Sequence, residues 1–181
     1  MVGTLLALLC ACTGGQDQAV PPVPESMAAR RVTEFIQAYK AQGFRGLPDT
    51  AHAAALEPHL SVRLNGLLRD ALAGQQAYKK KFPSDKPPLV DGDIFSSLFE
   101  GATSGVIDNV DESADTARVR VTFTYADLRT GKAIEVWLDR FVLVREAAQW
   151  RIDDLEYLGT WDFAMRGRLS AALAETAALA K

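Results

Sequence analysis

Between Ala133 and Phe163 the chain reads AIEVWLDRFVLVREAAQWRIDDLEYLGTWDF, two long strands that leave their sheet through an aspartate pair and an aromatic corner. The Ala147-Ala148-Gln149 link is short enough to require antiparallel pairing. Apolar residues occupy both faces of the first strand, which predicts a packing partner on each side. In the second strand a period of two sets Trp150 and Ile152 in line with Asp154, an acid on the buried face. Asp153 then points to the opposite face, so the two adjacent acids form no acid–base dyad.

Upstream the period changes. Val32, Phe35, Ile36 and Tyr39 recur at helical spacing in a helix predicted from Glu25 to Gln42 and ended by Gly43. A short helix, Thr50 to Leu56, precedes Pro58, and a longer one from Ser61 to Lys81 carries the stripe Leu64, Leu67, Leu68, Ala71 and Leu72. Its terminal Lys79, Lys80 and Lys81 complement the helix dipole, a structural reading that outweighs a binding patch. A proline-punctuated loop, Pro83 to Gly92, leads to Asp93, the expected N-cap of a helix starting at Ile94. Strands follow: a weak one from Ser104 to Val110, then Val119, Val121, Phe123 and Tyr125 alternating with Arg118, Arg120, Thr122 and Thr124. Arg129-Thr130-Gly131-Lys132 forms a hairpin turn, and Leu169 to Lys181 a closing alanine-rich helix. Helices followed by antiparallel strands give an α+β fold, with the helices over one face of a curved sheet in a single domain spanning 25–181.

Composition changes the picture mainly at the N-terminus. The 181 residues, 48% apolar and 24% charged with a net charge of −3, describe an ordinary globular chain without a nucleic-acid footprint. The two cysteines are Cys10 and Cys12, so the domain has neither a disulfide nor a thiol chemistry. Val2 to Ala11 is too short to span a bilayer but matches a secretory core. Leu9-Cys10-Ala11-Cys12 resembles the bacterial lipobox, which implies a signal peptide over 1–11 and lipid attachment at Cys12. The first base is Arg30, whereas signals open on Lys or Arg, which predicts a true start upstream of Met1. Residues 12–24, small, polar and proline-rich, read as a flexible tether. Thr13 after the cysteine implies, by analogy, the outer membrane, with the domain facing the periplasm.

Candidate chemistry is sparse. Asp91 and Asp93 with Glu100 offer oxygen ligands to a hard cation, but the spacing lacks the rest of a calcium loop, and a turn and cap explain them better. Asp154 beside Trp150 would have its pKa raised by desolvation unless a base such as Arg140, or a tyrosine or tryptophan hydrogen bond, satisfies it. Trp137, Trp150, Trp161, Phe141, Phe163 and Tyr157 gather around the sheet, more as core than as a ligand cage. His52 and His59 lack companions at zinc spacing. No nucleophile elbow, P-loop or glycine fingerprint is present, and neither a metal nor a cofactor is implied.

PLVDGDIFSSLFEGATSG, followed by WRIDDLEY and Trp161-Asp162-Phe163, resembles a bacterial lipoprotein family defined by domain of unknown function 3828. The order of elements is similar to the wider nuclear transport factor 2-like cone. The likeness runs from about Met27 to Leu173. It implies an envelope lipoprotein without established catalysis. Three functions stay open: a non-catalytic module binding another envelope protein or a small ligand, a cone-type enzyme using Asp154 as general base, and a periplasmic immunity protein. Pocket or loop candidates are Asp91, Asp93, Arg140, Trp150, Asp154, Tyr157 and Trp161. The oligomeric state is left open.

Overall fold

The computed structural model of this chain describes residues 26–180. The expected signal peptide, Cys12 and the tether lie outside them. Helix α1 (Met27–Gln42) starts where the Ser26 hydroxyl accepts the Ala29 N–H at 3.2 Å. It stops at Gly43, whose φ of 64° is the left-handed conformation that glycine adopts without a Cβ penalty. Helix α2 (Thr50–Leu56) is capped by Asp49, and α3 (Val62–Lys81) by Ser61, which accepts the Leu64 N–H at 2.9 Å. The last turn of α3 carries the three lysines, all exposed.

The strands are β1 (Ser104–Glu112), β2 (Thr116–Ala126), β3 (Ala133–Glu146), β4 (Gln149–Tyr157) and β5 (Gly167–Arg168). They pair in sequence order as one open, antiparallel five-stranded sheet. Helix α4 (Leu169–Ala177) follows β5 directly and packs along α3. The architecture is therefore α+β, four helices on an antiparallel sheet. On the inner face, Val119, Val121 and Phe123 of β2 and Trp137, Phe141 and Leu143 of β3 are buried. Helix α1 lies over them. Phe35 meets Phe95 edge-on at 5.1 Å and Phe141 at 5.9 Å, so aromatic rings fill the space between helix and sheet.

Three expectations need correction. No helix starts at Ile94. Residues Ile94, Phe95, Ser96 and Ser97 are all buried, so the segment has no polar face to give solvent. Its backbone bonds are long-range instead: the Tyr157 hydroxyl donates to the Ile94 carbonyl at 2.7 Å and Met165 N–H to the Ser97 carbonyl at 2.9 Å. Asp93 accordingly makes a local turn, accepting the Phe95 N–H at 2.7 Å.

The second correction concerns β3. Among the described residues nothing covers the outer side of its first half, where Ile134, Val136 and Leu138 are 61%, 54% and 36% exposed. The third is a bulge in β4. Pairing passes from Val142↔Asp154 to Leu143↔Ile152, leaving Asp153 as the extra residue. Inward parity shifts by one, so Leu155 and Tyr157 continue the core face begun by Trp150 and Ile152. Asp154 instead shares the outer face with Val142.

Candidate functional site

The bulge decides what the aspartate pair can do. Asp154 is buried, yet not beside Trp150 in an apolar pocket. Its Oδ1 accepts the N–H groups of Leu155 at 2.9 Å and Ser170 at 3.0 Å, and its Oδ2 accepts the Ser170 hydroxyl at 2.6 Å. Arg168 and Arg63 stand 3.8 and 4.0 Å away. Arg140, the base expected beside it, pairs with Glu156 at 2.8 Å. Asp153 accepts from the Ser61 hydroxyl at 2.6 Å and takes a bidentate bond from Arg63. Burial raises its pKa, but the Arg63 and Ser61 bonds outweigh that and hold it below the usual carboxylate range. The expectation of opposite faces fails: both carboxylates converge on Arg63. Asp154 caps α4 through the Ser170 N–H, whereas Asp153 holds the Ser61 and Arg63 side chains at the start of α3, where Ser61 itself is the cap.

A second buried acid sits deeper. Asp139, fully buried on the inner face of β3, accepts the Ser97 N–H at 2.8 Å, the Leu158 N–H at 2.9 Å and the Trp137 indole N–H at 2.9 Å. The Ser97 hydroxyl donates to it as well. Burial pushes its pKa up, against the pull of these donors. Burial and the charge of Asp139 also push the Tyr157 hydroxyl up. Asp93 is raised by burial, and Tyr39 by burial and the adjacent Asp93. Of these groups Tyr39 and Asp93 line a cavity of about 20 Å³ together with Phe35, Phe95, Phe123 and Phe141, the room of roughly one water. The Asp139 network splices the Ile94–Gly101 segment, β3 and the chain after β4 into one unit.

The remaining candidates scatter. Asp91 is exposed and pairs with Lys86 at 2.7 Å. Trp161 packs edge-on against Trp137 at 5.8 Å, and Phe163, expected near the sheet, is 94% exposed. Among the described residues no three His, Cys, Asp or Glu side chains converge as a metal site would require.

A larger concavity lies elsewhere, between the first turns of α1 and the β3–β4 hairpin. It measures about 410 Å³, and Arg30, Arg31, Glu34, Glu112, Arg145 and Trp150 line it. The Arg145 guanidinium lies 4.4 Å over the Trp150 ring. Trp150 is 4% exposed, yet among the described residues its indole N–H has no partner, and neither has the buried Nε–H of Arg31. The other arm of Arg31 is engaged: Nη1 lies 3.2 Å from both Glu34 and the His59 ring.

No family model matches the chain, and no curated protein or solved structure matches it either. Of the sequence candidates, the structure brings Asp93 and Tyr157 near one buried network and leaves Trp150 in the cleft apart from Asp154. Asp139 and Ser97 were missed, although Asp139 stands in the inward row Trp137, Phe141, Leu143, and an acid at core parity is a readable signal. The arginines of the cleft carried no such signal, because they come from separate elements.

Proposed function

We propose that this chain is a non-catalytic binding module of the bacterial envelope. In this reading Cys12 carries the lipid, the domain faces the periplasm from the outer membrane, and the sheet's outer face docks another envelope protein. The row Val106, Ile134, Val136 and Leu138 carries the proposal. Val106 stands opposite Thr122, Thr122 opposite Leu138, and Thr124 opposite Val136, so these side chains form one patch across three strands. Val106 is 68% exposed, and a contiguous apolar patch left open to water marks an interaction surface. Threonines interleave it, and the Asp108–Arg120 and Arg140–Glu156 pairs border it. An apolar centre with a polar rim suits a protein partner rather than lipid.

The cavity inside the sheet, about 20 Å³, is too small for a substrate, which supports reading the interior as core. Asp154, the one acid proposed as general base, is engaged by Leu155 and Ser170. The kinship with domain of unknown function 3828 and the nuclear transport factor 2-like cone stays part of the proposal. Helices preceding the strands and α1 lying on the inner face support it.

A photo-crosslinking amino acid at Val136 in the intact lipoprotein tests the docking face. One discrete heterologous adduct is expected, absent from a probe at Gln37 on α1 and lost when Leu138→Glu is added. A folded protein that yields no adduct, or the same adduct from both positions, would sink the proposal; an adduct of dimer mass would replace it with self-association. Cys12→Ser should release the protein from membranes, and retention would remove the lipid anchor.

A further inference from the structure

We propose that the cleft between α1 and the β3–β4 hairpin binds a carboxylate through the Arg31 Nε–H and the Trp150 indole N–H. The starting observation is the pair of buried donors without acceptors among the described residues. A buried N–H left unpaired bears its full desolvation penalty, and native proteins rarely keep one without a use. Here the two residues that carry them line one cavity of about 410 Å³, within the range of small-molecule sites.

The surroundings fix the chemistry. Both orphans are donors, so the missing group is an acceptor. The lining places three guanidiniums against two carboxylates, one net positive charge. That balance suits a monoanion. A phosphate monoester, with its charge of about −1.5 to −2, would set its excess charge against Glu34 and Glu112. Arg145 is tied only loosely, 3.9 Å from Glu112, and its stacking on Trp150 holds the indole in place while leaving guanidinium N–H groups to spare. The site is preorganised on its other side as well, because Glu34 and His59 hold the Arg31 head. A planar carboxylate meets such a fork better than a chloride does.

The carboxylate can come from a free small acid or from the C-terminus of a peptide. Both present the same two oxygens, and the test separates them. The cleft lies on the helix-covered side of the sheet, away from the outer face, so the two proposals fail independently.

The probe is the indole N–H resonance of Trp150 in the ¹⁵N-labelled full chain, assigned by its loss in Trp150→Phe. Propionate and N-acetyl-tetraalanine are titrated in parallel, with N-acetyl-tetraalanine amide and sodium chloride as controls. The expected result is a saturable downfield shift with either acid, at a Kd of about 1 mM or tighter, and none with the amide. A tenfold preference for the peptide acid assigns the site to peptide C-termini, and the reverse preference or parity to small acids. Arg31→Gln should weaken binding by about tenfold or more, and Arg145→Gln, at an exposed strand end, does the same without touching α1. A Trp150 resonance that moves no further with the acids than with the amide or with sodium chloride overturns the proposal. So does full binding by a folded Arg31→Gln, Arg145→Gln double variant.

Discussion

Asp154 accepts the backbone N–H of Ser170 at 3.0 Å and its hydroxyl at 2.6 Å across sixteen residues of chain. It thereby caps α4 from the neighbouring strand, because the Arg168 side chain at the N-cap makes no capping bond. Removing the carboxylate strands the buried Leu155 N–H and the half-buried Ser170 N–H. Asp154→Ala should therefore cost about 2 kcal/mol of unfolding free energy, and Ser170→Ala, which removes one donor and keeps the cap, about half as much. Urea unfolding measures both. An Asp154→Ala protein as stable as the parent would refute the capping role.

Asp153 makes an acid-sensitive joint between β4 and α3. Its folded pKa lies below the unfolded value because the Arg63 and Ser61 bonds outweigh burial. As pH falls, the unfolded chain binds the proton first, so the stabilisation is complete above the unfolded value of about 3.9 and disappears as pH drops through the folded one. Asp153→Asn should be less stable than the parent at neutral pH, with the gap closing on acidification. A gap that stays constant from about pH 7 to 2.5 would contradict this.

The helices were legible from local signals. Gly43, Asp49 and Ser61 mark three boundaries by their own chemistry, and the observed ends agree with them within two residues. The alternating strands were equally readable, since Val119, Val121 and Phe123 keep one parity throughout. The β4 bulge was not. Period-two reasoning carried Asp154 inward with Trp150 and Ile152, whereas one extra residue at Asp153 reversed every position after it. The Ile94–Gly101 segment failed for a related reason: a run with an N-cap signal became a buried turn because Asp139 and Tyr157, far along the chain, hold its backbone. The cleft also depends on distant elements, with Arg31 from α1 and Trp150 from β4. Nothing local to either residue announces the other.

Helices α3 and α4 touch backbone to backbone at Gly74, where an added Cβ would overlap the Thr176 carbonyl oxygen. Gly74 has ordinary helical geometry, so helix propensity alone makes Gly74→Ala stabilising by about 1 kcal/mol. The steric term opposes it and wins, because the obstacle is backbone and α4 must move as a body. The net expectation is a loss of about 1–3 kcal/mol, read as a lower urea midpoint. A gain in stability would mean that the two helices separate freely.

His59 links pH to the cleft. Its Nδ1 lies 3.2 Å from Arg31 Nη1, and a guanidinium only donates, so the imidazole must be the acceptor and neutral. Burial pushes its pKa down, Arg31 and Arg151 push it further, and Glu34 opposes them. The folded value therefore lies below the unfolded value of about 6.5, so the unfolded chain takes the proton first as pH falls. Stability is fully present above about pH 6.5 and declines on acidification toward the folded value. His59→Gln offers an amide oxygen to Arg31 without titrating, so its melting temperature should fall less than the parent's between about pH 7.5 and 5. His52 is common to both proteins, so the difference reports His59 alone. Parallel pH profiles would show that Arg31 is held without this acceptor, and that the cleft keeps its shape by other contacts.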